Sequence, residues 1–353
     1  MVSSSTTTPA TKVAPASQDA TRRSQRLGLI ATVALVLLAV ALPFIPPFTG
    51  QDWQRYLVGA ALSAAAAVAF DFTAGYIDIV NVGFAAFMGL GGYVSAIFVT
   101  QYGISPWLGF PLGALAAGIL GLLTGMLTLR LRGIYAAVMT WFVAIALMGM
   151  ARNLTDITRG SLGLAVPPLL PTNDNAPYYY VILAILLLTL LVLTIIIRSR
   201  IGLAFRAIGQ NLQASRASGI NPTKFLVANF TISCAFAGVF GVFYAHYYGI
   251  LTPAVMSTPH TIEILAIAYI GGRGSLWGPA IIAFPMSIAV SLMQVQFASL
   301  PGLYLVFYGL LLVLVMLFRP DGFAGVVRGI GRRIDGGQQA NKPEAAPAPT
   351  ANA

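Results

Sequence analysis

Apolar positions fall in long blocks instead of alternating with polar ones. The blocks cover residues 27–42, 56–74, 79–100, 107–129, 134–150, 178–197, 225–248, 277–297 and 302–318, with a shorter block at 260–271. A helix needs about 20 apolar residues to cross a hydrocarbon core, and a half-buried strand would instead show a period of two. The pattern predicts an all-α fold: a polytopic transmembrane helical bundle of about ten membrane segments, the one at 260–271 being short or broken. Residues 1–26 are rich in Ser, Thr, Pro and Ala and read as a disordered tail; 27–320 form the membrane domain, and 321–353 a second tail, mostly disordered. Arg22, Arg23 and Arg26 precede the first block as they would in a secretory or twin-arginine signal. The block ends in Pro43, Pro46 and Pro47 with no small-residue cleavage site, which predicts an uncleaved first span.

Composition strengthens this reading. The chain of 353 residues is 58% hydrophobic and 8% charged, against about 25% charged in soluble domains. Its net charge of +10 does not indicate nucleic acid, because the arginines punctuate block ends and form no stripe. With the N-terminus in the cytoplasm and every block crossing once, all 20 lysines and arginines except Arg55, Arg152 and Arg159 fall on the cytoplasmic side. That asymmetry follows the positive-inside rule and puts both termini inside. Leaving out the short block would move Arg319 to Arg333 outside, so 260–271 is expected to cross, with help from a broken or re-entrant backbone. The single Cys234 excludes an intramolecular disulfide, and two histidines without a cysteine pair argue against a structural metal site. Cys234 itself reads as a small hydrophobe within an apolar run.

Three segments carry candidate chemistry. In Arg198–Pro222 the apolar positions Ile201, Phe205, Ile208, Leu212 and Ala217 predict a short amphipathic helix, ended by Gly219 with Pro222 just beyond. Two readings stand at this point: a lever for a soluble partner, or a helix resting on lipid headgroups. Gly271–Pro279 holds four glycines, a proline and Arg273, which implies irregular backbone buried in protein or lining a cavity. Arg273 reads as an interface anchor or a contact for a substrate carboxylate. Gly75–Tyr93 places Gly83, Gly89, Gly91 and Gly92 where helices could approach closely, line a pathway, or break.

Ionisable residues inside a membrane are functional candidates. Asp71 and Asp78 lie near the cytoplasmic ends of their blocks and Glu263 near the outer end of the short one, each within reach of an interface. His246 and His260 flank the external loop Tyr247–Pro259 and read as solvated. The blocks contain no Asp/Glu/His relay at their middles, which weighs against proton coupling. The sequence has no G-x-x-x-x-G-K-[ST] loop, and its only lysines are Lys12, Lys224 and Lys342. It also lacks G-x-S-x-G, H-E-x-x-H and C-x-x-C, so no catalytic or metal residues are expected. If ATP drives the protein, another chain binds it.

The run Gly202-Leu-Ala-Phe-Arg206-Ala-Ile-Gly-Gln-Asn211, then Ala217-Ser-Gly219-Ile220-Asn221, resembles the coupling segment of branched-chain amino-acid permeases from bacterial ABC importers. Phe236-Ala-Gly-Val-Phe-Gly241, Gly271–Pro279, Gly75–Tyr93, Leu131–Tyr135 and Asn153–Thr158 fit the same family, the LivM-type subunit more than the LivH-type. The resemblance covers about residues 55–320. It departs at Gly209-Gln-Asn-Leu212, where the family carries glutamates, and at Met139–Ala146, where a threonine-led Gly/Glu stretch is usual. The resemblance implies a non-enzymatic transport subunit in the bacterial inner membrane. Its partners would be a second, LivH-type permease, two cytoplasmic ATPases holding ATP and Mg, an extracytoplasmic substrate-binding protein, and membrane lipid. This chain would bind no cofactor and no nucleic acid.

The same resemblance assigns coupling to Phe205, Arg206, Gln210, Asn211, Ser218, Gly219 and Ile220. Candidate path residues are Asp78, Asn81, Phe84, Tyr93, Glu263 and Arg273. The expected cargo is a branched-chain or other hydrophobic amino acid, with urea or short amides as the alternative within the family. An ion-coupled transporter working alone and a non-transporting scaffold are the readings from other classes.

Overall fold

The structure, a computed structural model, describes residues 37–45, 50–128, 134–297, 299, 302–318 and 322–325. Residues 1–50 form a unit of their own. Within it, residues 37–41 are helical and run into a 3-10 turn at Leu42–Phe44. The rest of the predicted first span, the first tail, and all of the second tail except residues 322–325 lie outside the described residues.

The second unit, from Gln51 on, is built from α1 (Gln51–Ala74), α2 (Phe84–Tyr102), α3 (Pro106–Thr128), α4 (Ile134–Asn153), α5 (Asn175–Arg198), α6 (Arg200–Gln210), α7 (Leu212–Ala217), α8 (Pro222–Tyr248), α9 (Thr258–Gly271), α10 (Trp277–Gln296) and α11 (Leu303–Phe318). Among the described residues eight helices are long and apolar enough to span a membrane: α1–α5, α8, α10 and a last one, Leu305–Gly325, that overlaps α11. The chain is therefore a multi-pass helical membrane bundle. The predicted number of about ten exceeds this for two reasons. Residues 27–42 lie mostly outside the described region, and α9 has 14 residues, giving about 21 Å of rise against a core of about 30 Å. The block at 79–100 also starts late, because residues 75–83 are an irregular break before α2.

Helix α1 forms the centre, 89% of its spanning window being buried, whereas α4 buries 22% and the last span 13%. α8 packs on α2 and α3, and α5 and α10 pack on α1. Glycine makes the α2–α3–α8 contact a meeting of backbones. A Cβ on Gly91 would strike the Gly238 backbone, one on Gly238 the Gly113 carbonyl, and one on Gly241 the Met88 carbonyl. Close approach of this kind replaces the hydrophobic drive that lipid removes from helix association. Large apolar side chains remain exposed on α3 (Leu115, Ile119, Leu123), α4 (Ile134, Phe142, Ile145), α5 (Leu188, Leu191, Ile195) and α11 (Leu310, Val313, Leu317). These are surfaces suited to lipid or to another membrane subunit.

The two long loops at one end of the bundle are ordered against each other. Leu164–Ala165 pairs antiparallel with Ile250–Leu251, and Val166 N–H donates to the Gly249 carbonyl at 2.8 Å. His246, expected to be solvated, is instead fully buried beneath this junction. Its Nδ1 lies 2.7 Å from the Pro167 carbonyl and its Nε2 2.8 Å from Ser95 Oγ. A carbonyl only accepts, so Nδ1 carries the proton and the ring ties the loop to α2.

Candidate functional site

At the opposite end the chain leaves α5, runs through α6 and α7, and re-enters as α8. Ser199 caps α6 by accepting from Ile201 N–H at 3.2 Å. The single amphipathic helix expected here is two, because Asn211 is extended (φ −156°) and its Oδ1 accepts from Gln213 and Ala214 N–H, both at 3.0 Å. An asparagine side chain offers the backbone this alternative to continuing a helix. Gly219, at φ 80°, donates to the Arg216 carbonyl at 3.0 Å and ends α7. Asn221 then caps α8, with Pro222 in its first turn.

The inner face of this pair seats on the bundle. Phe205 is fully buried, edge-on to Phe72 (5.7 Å) and to Phe225 (6.2 Å). Ile208 is buried too, whereas Ile201 is exposed. The Arg206 guanidinium sits 6.0 Å from the Tyr76 ring. A Cβ on Gly209 would strike the Tyr76 carbonyl, so α6 lies directly on the break after α1. The other face presents Arg206, Gln210, Asn211, Ser218 and Gly219 to the exterior, with Ile220 half-buried. Gly209→Val is expected to push α6 off Tyr76 and lower the thermal stability of the protein while leaving the helices inserted. Measuring both on one membrane preparation checks it.

The break is fastened in turn to the segment between α9 and α10. Asp71, in the last turn of α1, is fully buried. Its Oδ1 accepts from Gly274 N–H at 2.8 Å and its Oδ2 from Leu276 N–H at 3.2 Å. Arg273 donates to the Ala74 carbonyl at 2.8 Å and pairs with Asp78; it also lies 5.1 Å from the Tyr269 ring. Ser275 Oγ bridges the Gly272 carbonyl (2.9 Å) and Gly278 N–H (3.0 Å). A Cβ on Gly75 would strike Gly274 N. Two non-glycine residues here, Asp78 (φ 57°) and Leu276 (φ 49°), have positive φ, a strain of about 1–3 kcal/mol each. The α6–α7 pair, the break after α1 and the α9–α10 segment are thus one contiguous set of contacts.

The helices leaving that segment, α9 and α10, wall a cavity of about 200 Å³ together with α1, α8 and α11. Leu62, Ala66, Met88, Ile264 and Ile267 supply apolar wall; Glu263, His260, Tyr244, Tyr248 and Gln294 supply polar groups. Glu263 Oε2 lies 3.4 Å from His260 Nδ1. A second hollow of about 400 Å³, walled partly by Asp52, Arg55 and Tyr56, shares Gly59, Tyr248, Ser291 and Gln294 with the first. Both lie toward the end that carries the paired loops.

Of the path candidates, Glu263 stands in this cavity wall. Asp78 and Arg273 meet each other at the other end. Asn81, Phe84 and Tyr93 are buried between helices. Asn81 Oδ1 accepts from Gly83 N–H at 3.1 Å and shapes the turn into α2, Phe84 stacks edge-on to Phe70 at 5.7 Å, and Tyr93 donates to the Leu251 carbonyl at 3.4 Å. Sequence reasoning passed over Tyr244, Tyr248, Ser287 and Gln294, and treated Asp71 as an interfacial carboxylate. The signal for Asp71 was there: an acid at the end of an apolar block, in a chain with an arginine-bearing glycine loop.

Comparison with known proteins agrees with this architecture. The chain is 28% identical over 339 residues to the high-affinity branched-chain amino acid transport system permease protein LivM of Salmonella typhimurium, covering 88% of this chain and 77% of that one. It is 28% identical over 325 residues to LivM of Escherichia coli, covering 84% and 75%. LivH of Salmonella typhimurium matches at 28% over 281 residues, covering 73% and 90%. One family spans residues 54–316, from the first turn of α1 to the last turn of α11. The chain belongs to that family, the branched-chain amino acid transport system / permease component.

Proposed function

We propose that the chain is one membrane subunit of an ATP-driven importer, moving branched-chain or other hydrophobic amino acids inward across a bacterial inner membrane. The observation that supports this best is the α6–α7 pair. It presents one polar, capped face outward while Phe205 and Gly209 press on the break after α1. A lone ion-coupled transporter has no use for such a face. The charge asymmetry of the loops supports a cytoplasmic position for this face and for both termini. Residues 27–320 then form the permease domain and 1–26 and 321–353 are cytoplasmic tails.

Of two ATPases holding ATP and Mg, one docks at α6–α7, through Arg206, Gln210, Asn211, Ser218, Gly219 and Ile220, with Phe205 anchoring the helix pair from beneath. This chain hydrolyses nothing and holds no cofactor. A second, LivH-type permease covers the exposed apolar helices, and a substrate-binding protein docks on the paired outer loops. Nucleotide-driven movement of α6 is passed through Tyr76 and Asp78 to Arg273, and so to α9 and α10. Coupling of this kind needs two global states that nucleotide and cargo bias differently.

Purification in mild detergent should bring down an ATPase with a phosphate loop and a second permease; recovery of the chain alone, under conditions that keep other membrane complexes intact, would refute the reading. Gly219→Pro is expected to abolish transport with insertion unchanged, since proline holds φ near −65° and lacks the N–H that closes α7. Normal uptake by that variant would remove the coupling role from α7.

A further inference from the structure

We infer that the junction of α5 and α6 binds an anionic phospholipid, Arg198 and Arg200 holding its phosphate while Ile201 and Leu203 rest among the first acyl carbons. The inference goes beyond the importer reading. Its first observation is a stripe on α5. Leu188, Leu191 and Ile195 are exposed, and their spacing puts them on one helical face, which the exposed Arg198 continues at the helix end. An arginine that closes an apolar stripe lays its stem along it and carries its guanidinium to the level of the phosphates. The second observation is the first turn of α6, which exposes Arg200, Ile201 and Leu203 together. Aliphatic and cationic side chains mixed in this way suit a helix lying in the headgroup layer. From Arg206 to Gly219 no large apolar side chain is exposed, so the rest of the α6–α7 pair suits a soluble partner.

The third observation is charge. The sequence has no Asp or Glu between Asp174 and Glu263, while Arg198, Arg200, Arg206, Arg216 and Lys224 are all exposed. Among the described residues none of the five pairs with a carboxylate. Asp71 and Asp78, the described carboxylates at this end of the bundle, are taken up by the α9–α10 segment. Ser199, between the two arginines, is also engaged: its Oγ donates to the Ile196 carbonyl at 2.6 Å and accepts from Ile201 N–H at 3.2 Å. The guanidinium groups are thus the donors left to grip a phosphate, which they do through paired N–H groups. A zwitterionic headgroup would bring its own ammonium to a surface with no carboxylate to receive it. Phosphatidylglycerol brings the anion alone. The charge asymmetry of the loops supports the cytoplasmic leaflet as its place. Bound there, the lipid holds the start of α6 and leaves its far end and α7 to move with a partner.

The test uses the full chain with Ile201→Cys carrying an environment-sensitive fluorophore, reconstituted into phosphatidylcholine vesicles. The native Cys234 is fully buried and gives a low background. In one set a minor fraction of the lipid is phosphatidylglycerol brominated near the headgroup end of its chains; in the other the same fraction is phosphatidylcholine brominated alike. Half-quenching by phosphatidylglycerol is expected at about one fifth of the phosphatidylcholine fraction or below, the selectivity that a single arginine near a charged surface supplies. Arg198→Gln with Arg200→Gln should bring the two lipids level, with quenching by phosphatidylcholine retained because the apolar contact remains. Arg216→Gln with Lys224→Gln removes the same charge elsewhere and should keep the preference. Equal quenching by the two lipids in the parent, quenching by neither, or an equal loss of preference in both double variants would each overturn the assignment. So would a response to inorganic phosphate matching that to phosphatidylglycerol, which would make the arginines a free-anion site. No ATPase or cargo enters the measurement, so this site and the importer reading fail separately.

Discussion

Gly241→Val is expected to prevent the bundle from assembling, with loss of the folded protein from detergent extracts. The Cβ would land on the Met88 carbonyl and close to Gly92 N. Backbone atoms cannot swing aside as a side chain can, so α8 must withdraw from α2 along the contact that also holds Gly91 against Gly238. Overpacking that flexible neighbours can absorb costs about 1–3 kcal/mol; a whole-helix displacement exceeds that range. Gly149→Val on α4 is the matched control, since a Cβ there meets nothing within 4 Å among the described residues. Size-exclusion profiles of the two variants decide it. A monodisperse Gly241→Val peak at normal yield would show that the α2–α8 crossing is not needed for folding.

Asp71→Ala should leave an inserted, folded protein that no longer transports. The substitution strips the acceptor from the Gly274 and Leu276 N–H groups, each costing about 1–3 kcal/mol when buried without a partner. The segment between α9 and α10 then loses its main tie to α1, leaving the Arg273 contacts with Ala74 and Asp78, of which Asp78 is largely exposed. Asp71→Asn should fall between the two, because its amide has one acceptor oxygen and turns a donor toward the other N–H. Uptake by the assembled transporter, read beside thermal stability of the same preparation, separates the roles. Uptake unchanged in Asp71→Ala would mean that movement does not pass through this segment.

Much of the architecture was legible in the sequence because a bilayer leaves few solutions. Long apolar blocks must be helices that satisfy their own backbone, so the eight spans and the short α9 follow from block length. The C-terminal glycine of the 198–222 segment was legible from local chemistry as well: Gly219 tolerates φ 80° where other residues resist it. Reading 198–222 as one helix failed because local capping by Asn211 outweighs a pattern of apolar positions that continues across it. The solvated reading of His246 failed because a position near a loop says nothing about whether another loop folds over it. The loop that brings the Pro167 carbonyl to Nδ1, and Ser95 of α2 at Nε2, enclose that ring.

By itself the sequence determined that this protein crosses the membrane many times, that irregular backbone follows the short block at 260–271, and that Gly219 ends the helical part of 198–222. Those properties depend on neighbours a few residues apart. Tertiary structure alone decided that Asp71 holds Gly274, that Gly209 rests on Tyr76, and that Glu263, Ser287 and Tyr248 share one cavity. These residues lie tens to hundreds of positions apart on helices that all look alike to lipid. Which of them meet is set by close backbone packing, and hydropathy carries no record of that.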